Sequence, residues 1–145
     1  MIASYVLKQI LRGFGYSGNS LPSSAYLALS TTKPNKDGTN VTEPSGFGYE
    51  RKLLGGGGET SHMGEPTEDS STGKFTMTNT KEIHFNEATG DWGSIKYFAL
   101  YTAKTGGNMC YAGELTTSIS PTAGTVVLIK VGELSITLSA EELSA

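Results

Sequence analysis

Cysteine, histidine and tryptophan are scarce in this sequence, and their scarcity excludes several kinds of site. The chain has one cysteine and two histidines among 145 residues. A single cysteine forms no internal disulfide and cannot build a cysteine-rich zinc site. His62 and His84 lie 22 positions apart, which fits no metal-ligand spacing, so we read both as solvated side chains. Cys110 lies in an alternating apolar run that predicts a buried structural thiol, and we expect no metal ion and no cofactor.

Charged residues and long apolar runs are also few. Only 17% of the residues are charged, the net charge is −3, and there is no basic run of the kind that binds nucleic acid. No segment reaches the roughly 18 consecutive apolar residues of a membrane span, so we expect no membrane insertion. The first residues lack a basic start and a small-residue cleavage site, so we expect no signal peptide.

Motifs for catalysis are missing as well. The sequence has no GxSxG motif, and Cys110 has no histidine near it in sequence. Gly73 and Lys74 lack the glycine spacing and the following serine or threonine of a phosphate loop. Because the titratable residues are sparse and unclustered, we predict that the protein is not an enzyme and assign no catalytic residue.

Short segments of alternating or apolar residues predict a mainly β protein, an antiparallel β-sandwich of about seven or eight short strands in a single domain over 1–145. Glycine is abundant, at 19 residues, as expected for a chain with many turns. The strand segments, all within a sandwich over 25–139, are 25–30, 49–54, 74–79, 81–86, 94–103, 109–115, 125–131 and 133–139. Segment 94–103 is apolar on both faces, as in an interior strand, and TGGN at 105–108 predicts a hairpin turn.

The first 15 residues predict an N-terminal helix. Ile2, Val6 and Ile10 recur at four-residue spacing, and Phe14 widens the same apolar face. This face is too broad for a helix that rests lightly on a surface. The helix therefore packs either on its own sheet or against a neighbouring subunit, and these four residues are candidate interface residues.

Residues 55–73 predict a long projecting loop. The segment starts with four consecutive glycines and continues with acidic, serine and threonine residues, without apolar periodicity. Loops of this length are uncommon in compact domains unless they are functional or mobile. We therefore take Gly56, His62 and Glu65 as candidate interface residues that a partner could order.

The stretch TGDWGSIKYFALY, residues 89–101, contains the lone tryptophan. Asp91 and the flanking glycines predict a tight turn at the start of a strand. An exposed Trp92 would suit a sugar or partner site, whereas a buried Trp92 would close the end of the sandwich. We favour the buried position and assign five residues to the structural core: Trp92, Phe85, Tyr97, Leu134 and Ile136.

The order of these segments resembles the small bacteriophage virion proteins that are labelled phage tail fibre proteins. The resemblance lies in AYLALSTTKPNKDGTNVTEPSGFGYERK at 25–52, IHFNEATGDWGSIKYFALYTAKTGGNMCYAGEL at 83–115 and the closing GELSITLS. The ATGDWG run with the later paired glycines is its most specific part. Glu50 stands where the family commonly has alanine, and the four-glycine run with its acidic tail is not typical of it.

The resemblance implies a structural component of a phage particle, either a tail fibre or a fibre-anchoring protein. A capsid decoration or head fibre protein is the alternative within the virion, and a monomeric carbohydrate-binding module is the alternative outside it. The implied partners are other virion proteins, further copies of the chain with a trimer favoured, and a glycan of the host surface. The implied location is the virion, assembled in the host cytoplasm.

Overall fold

The computed structural model describes residues 1–15, 24–55 and 61–139. Within these ranges the chain forms one helix and nine strands, and every strand pairing is antiparallel. The elements are α1 Ser4–Arg12, β1 Ala25–Ser30, β2 Lys52–Gly55, β3 Thr67–Asp69, β4 Lys74–Thr78, β5 Ile83–His84, β6 Ile95–Tyr101, β7 Met109–Ile119, β8 Leu128–Ile129 and β9 Ser135–Leu138. The predicted mainly β class with an N-terminal helix is confirmed.

The strands form three sheets. The largest has the order β2-β1-β6-β7, a second has the order β3-β4-β9, and β5 pairs with β8. Strand β6 is interior, as its apolar sequence predicts, and it connects to β7 through the predicted turn. Gly106 and Gly107 have φ of +61° and +71° in that turn, and the Thr102 N–H donates to the Asn108 carbonyl at 3.1 Å.

The main core lies on one face of the four-stranded sheet. Alternate residues of β1 and β6 point into it, because side chains on a strand alternate between faces. They pack against residues of the smaller sheets and the connecting loops. The buried members are Leu27, Leu29, Leu54, Ile83, Phe85, Ala88, Trp92, Ile95, Phe98, Leu100, Val127, Ile129 and Leu134. A fully buried leucine of this kind contributes about 2 kcal/mol to folding.

The opposite face of the same sheet carries a row of alanines. Ala28 pairs with Ala99, which pairs with Ala112, and all three are buried. Their small side chains let the N-terminal residues and the loop after β1 lie close to the sheet. Ala3 and the half-buried Val41 pack on this row.

The helix is shorter than the predicted 1–15, because the first three residues are extended. Ile2 forms an isolated bridge with Tyr111, and the Ala3 N–H donates to the Cys110 carbonyl at 3.0 Å. The edge of β7 presents unpaired backbone groups, and the first residues of the chain hydrogen-bond to them as a short added strand. Ile2 is therefore buried in the sheet and is not part of a helical face.

The loop predicted over 55–73 is interrupted by a strand that the sequence reasoning missed. Residues 56–60 of that segment lie outside the described residues, but Thr67–Asp69 pairs with Lys74–Thr78 as a hairpin. The turn is closed by Asp69, whose carboxylate accepts the Ser71 N–H at 3.0 Å. This local bonding, together with the pairing of β4 to β9, orders a segment whose sequence lacks apolar periodicity.

Segment 125–131 forms only the short strand β8. Val127 and Ile129 are buried as expected, but Val131 is 58% exposed. It stands in a turn in which the Glu133 N–H donates to the Lys130 carbonyl at 3.0 Å, followed by Gly132 at a φ of +82°. The turn removes Val131 from the face predicted for it.

Candidate assembly surface

The end of helix α1 and the residues just after it carry the most exposed large apolar side chains in the described part of the chain. Phe14, just beyond the helix, is 82% exposed, and Leu11 is 72% exposed. The buried side chain of the helix is the polar Gln9. Of the four interface residues predicted here, Phe14 is exposed, Val6 and Ile10 are half-buried, and Ile2 is buried. The domain therefore leaves the end of this helix available to a partner.

The charges of this helix are all positive. Lys8 is exposed and lies one turn before Leu11, and Arg12 ends the helix. The segment SYVLKQILR contains no carboxylate. We call Lys8, Leu11 and Phe14 the helix patch.

A second exposed apolar side chain lies on the β3–β4 hairpin. Phe75 is 47% exposed, and it stands between Glu68 on β3 and Leu138 on β9 in register across the sheet. Side chains of paired residues share a face, so these three form one row. We call this row the hairpin patch. The strand that carries Phe75 was predicted over 74–79, but sequence reasoning missed the row because it treated Glu68 as part of the loop 55–73.

The interface residues predicted in the segment 55–73 differ in how exposed they are. Gly56 lies outside the described residues, and Glu65 is exposed. His62 is half-buried and held to β2, because its N–H donates to the Leu54 carbonyl at 2.7 Å and its Nδ1 lies 3.2 Å from the same oxygen. His62 is thus only partly exposed to solvent, where the sequence predicted a fully solvated side chain. His84 is exposed, with Nε2 at 3.1 Å from a Glu82 carboxylate oxygen.

Trp92 lies in the core and is only 3% exposed. Its Nε1 donates to the Phe47 carbonyl at 2.9 Å, and its backbone N–H donates to the Pro121 carbonyl at 3.1 Å. The indole meets the ring of Tyr49 edge to face, with centroids 5.3 Å apart, and that of Phe85 at 6.4 Å. The indole thus has no open face on which a sugar could stack.

Of the other four residues assigned to the core, three lie in or against it and one does not. Phe85 and Leu134 are buried in the main core, and Ile136 is half-buried against it. Tyr97 is half-buried on the alanine-bearing face, where it lines a small cleft with Met1 and other residues. Its assignment to the core is wrong, because alternation along β6 gives the core-facing positions to its neighbours.

A buried ion pair that sequence reasoning missed joins two loops. Arg51 is 8% exposed, and its guanidinium donates to both carboxylate oxygens of Glu43, at 2.8 and 3.0 Å. Its Nη1 also donates to the carbonyls of Ala103 and Gly106, at 2.9 and 2.8 Å. The guanidinium carbon lies 3.7 Å from the centre of the Tyr101 ring. Arg51 therefore fixes the turn between β6 and β7.

The ionisation of this group follows from its contacts. Burial opposes the charged form of Glu43, but hydrogen bonds from Arg51 and from the Tyr49 hydroxyl outweigh it and lower the pKa of Glu43. Burial, with Glu43 beside it, raises the pKa of Tyr49 far above its ordinary value. Burial opposes the charge on Arg51 too, but Glu43 raises the pKa of Arg51. At neutral pH the group is a fixed ion pair with a neutral phenol, which suits structure more than proton transfer.

An open cleft of about 270 Å³ lies between β7 and the β8–β9 region. Among the described residues, its lining is mostly apolar and includes no histidine, cysteine or lysine. The two carboxylates of this described lining are engaged, because Glu114 lies 3.4 Å from the Lys96 ammonium and Glu133 accepts the Lys130 N–H at 3.0 Å. Among the described residues, no cluster of histidine, cysteine and acidic side chains could hold a metal ion. None of the helices in those ranges has the length and apolarity to cross a membrane.

The model of the protein family described as podophage GP4 fiber I protein gp80 matches residues 1–137 of the chain. No curated protein matches the chain.

Proposed function

The chain belongs to the podophage GP4 fiber I protein family, and from this membership we propose that it is a fibre component of a phage particle that acts by assembly and attachment. The family supports a structural fibre role in the virion and association with other virion components. The single observation that carries the proposal is the extent of the match, which covers residues 1–137 of 145.

A role without catalysis is part of the proposal. In the described ranges, no buried side-chain nitrogen or oxygen lacks a hydrogen-bond partner. The most buried ion pair, between Arg51 and Glu43, is used to hold a turn. A catalytic site usually needs a nucleophile or base that converges with other polar groups on a pocket, and the cleft beside β7 supplies neither histidine nor cysteine.

The place on the particle is the finer part of the proposal. We favour a tail fibre or a fibre-anchoring protein, with a capsid decoration or head fibre protein as the alternative. Immunogold labelling of purified particles tests this, since gold at the tail is expected and gold on the capsid would favour the alternative. Particles of a phage that lacks the gene are the control for background labelling.

Self-assembly is proposed with a trimer favoured, because fibres are built from repeated copies on a symmetric particle. The exposed side chains of Leu11 and Phe14 support it, since large apolar groups at a surface are typical of a protein interface.

Attachment to a host-surface glycan is also proposed, but the buried Trp92 cannot be its binding residue. The carbohydrate-binding alternative needs an exposed Trp92, and the indole is buried and hydrogen-bonded. An interface with virion proteins is therefore the function that the described surface supports best.

A further inference from the structure

We propose that the helix patch of one copy packs on the hairpin patch of the next copy, so that the chain assembles head to tail. The inference rests on the proposed function, in which copies of the chain associate, and it adds which surfaces meet. The helix patch is Lys8, Leu11 and Phe14, and the hairpin patch is Glu68, Phe75 and Leu138.

The two patches match in their apolar content. Each presents large apolar side chains that the described part of the chain leaves exposed, with Leu11 at 72%, Phe14 at 82% and Phe75 at 47% exposure. Because these residues are exposed within one copy, the two patches do not cover each other in the same chain. A contact between copies removes both from water, which is the main favourable term in association.

The two patches also match in charge. The helix contributes the exposed Lys8, and its segment SYVLKQILR contains no carboxylate. The segment around the hairpin contributes Glu65, Glu68 and Asp69 against Lys74. Opposite charges at the edge of an apolar contact orient the partners and raise the association rate.

Charge also argues against the simplest alternative, in which two helix patches meet across a two-fold axis. That contact would bring the exposed Lys8 of both copies together, and the segment SYVLKQILR of neither copy supplies a carboxylate. Two hairpin patches would likewise bring Glu68 of both copies to one interface. A contact between unlike patches avoids both repulsions and leaves each copy with one patch of each kind for a further neighbour, which allows a closed ring such as a trimer.

Mixed cross-linking tests which patches meet. Lys8→Cys and Glu68→Cys variants of the full chain, which keep the apolar side chains of both patches, are prepared separately, mixed, and treated with a short bismaleimide. We expect a cross-linked dimer in the mixture and much less in either variant alone or in the wild type, whose Cys110 is half-buried. Cross-linking of Lys8→Cys with itself at the level of the mixture, or no cross-link in the mixture, would overturn the proposal.

Charge exchange tests the same contact without cysteines. Sedimentation of Lys8→Glu and of Glu68→Lys should show self-association weakened by about tenfold for each, since like charges then meet. The double variant Lys8→Glu/Glu68→Lys should regain association close to that of the wild type. The matched control Lys81→Glu, an exposed lysine elsewhere, should change nothing. Failure of the double variant to recover would contradict the pairing.

Replacing the exposed phenylalanines of the two patches is a third test of the contact. Phe14→Ser and Phe75→Ser should each weaken association by about thirtyfold or more, as at central interface positions, while Val131→Ser, which is 58% exposed, should not. Circular dichroism establishes that the variants fold. A wild-type chain that stays monomeric but is found in purified particles would overturn this inference and the proposed self-assembly, and would leave the proposed role as a virion fibre component standing. If the mixture gives cross-links but the chain is absent from purified particles, the contact between the patches stands and the proposed role in the virion fails.

Discussion

The indole nitrogen of Trp92 donates a hydrogen bond of 2.9 Å to the carbonyl oxygen of Phe47, 45 residues earlier in the chain. Phe47 has a φ of +53° and stands between two glycines that also have positive φ. Its carbonyl accepts a second hydrogen bond, from the Thr89 N–H at 3.0 Å. Trp92 thus fastens a strained turn to the core, which is the structural role expected from its sequence position between glycines.

Replacing Trp92 with alanine should destabilise the protein by about 3–5 kcal/mol, because it opens a large cavity and removes a hydrogen bond. Urea unfolding measures the loss. Phe14→Ala is the control, since this exposed ring should change the free energy of unfolding by no more than about 0.5 kcal/mol. A Trp92→Ala variant that is as stable as the wild type but no longer binds its partners would reverse this interpretation.

Replacing Arg51 with alanine should cost about 3–5 kcal/mol of stability, because it leaves the carboxylate of Glu43 half-buried without its cation. Arg51→Lys should recover only part of this, since one ammonium cannot reach both carboxylate oxygens and two carbonyls. Lys104→Ala, which breaks an exposed pair with Glu50, should cost less than about 1 kcal/mol. Equal losses for the two alanine variants in urea unfolding would contradict this account of the turn.

Glu43 should make the protein less stable in acid. Its pKa is lower in the folded state than its ordinary value of 4.5, so the folded state favours the carboxylate. The contribution is fully present above about pH 5 and is lost as the pH falls through the folded pKa. Glu43→Gln should be less stable at pH 7 and should lose less stability between pH 6 and about pH 3. An acid-induced loss of the same size in both proteins would show that Glu43 does not contribute to it.

Cys110 should react slowly with thiol reagents in the folded protein. Burial raises the pKa of its thiol to about 11, from an ordinary value of 9.0. At pH 8 the thiolate fraction is then about a hundredth of that of an exposed thiol, and the thiolate is the reactive form. Reaction with Ellman's reagent measures the rate, and the chain unfolded in urea supplies the control. Equal rates in the folded and unfolded chain would show that Cys110 is exposed.

Much of the fold follows from local sequence patterns. The interior strand β6 is recognisable because IKYFALY is apolar at successive positions, and an interior strand buries both faces. Ile83 in β5 and Phe85 just after it are both buried, as the alternation with polar residues in KEIHFN predicts. Glycines mark the turn into β7, where φ is positive.

The features that sequence reasoning missed depend on partners distant in sequence. Strand β3 is exposed throughout and exists through its pairing with β4, so it leaves no apolar signal. Ile2 repeats with Val6 and Ile10 as in a helix, yet the free edge of β7, more than 100 residues away, holds it extended. The partners of Arg51 lie at Glu43 and in the turn between β6 and β7, and no local motif brings these two segments together.

Quantitative peptide mass spectrometry of phage particles purified by density gradient tests the central claim most directly, because a fibre component must travel with the virion. Peptides of this chain should be enriched with the known structural proteins and present at several copies per particle. Antibody against the chain should detect it in the same gradient fraction. A chain that is abundant in the infected lysate and absent from the purified particles would contradict a virion role.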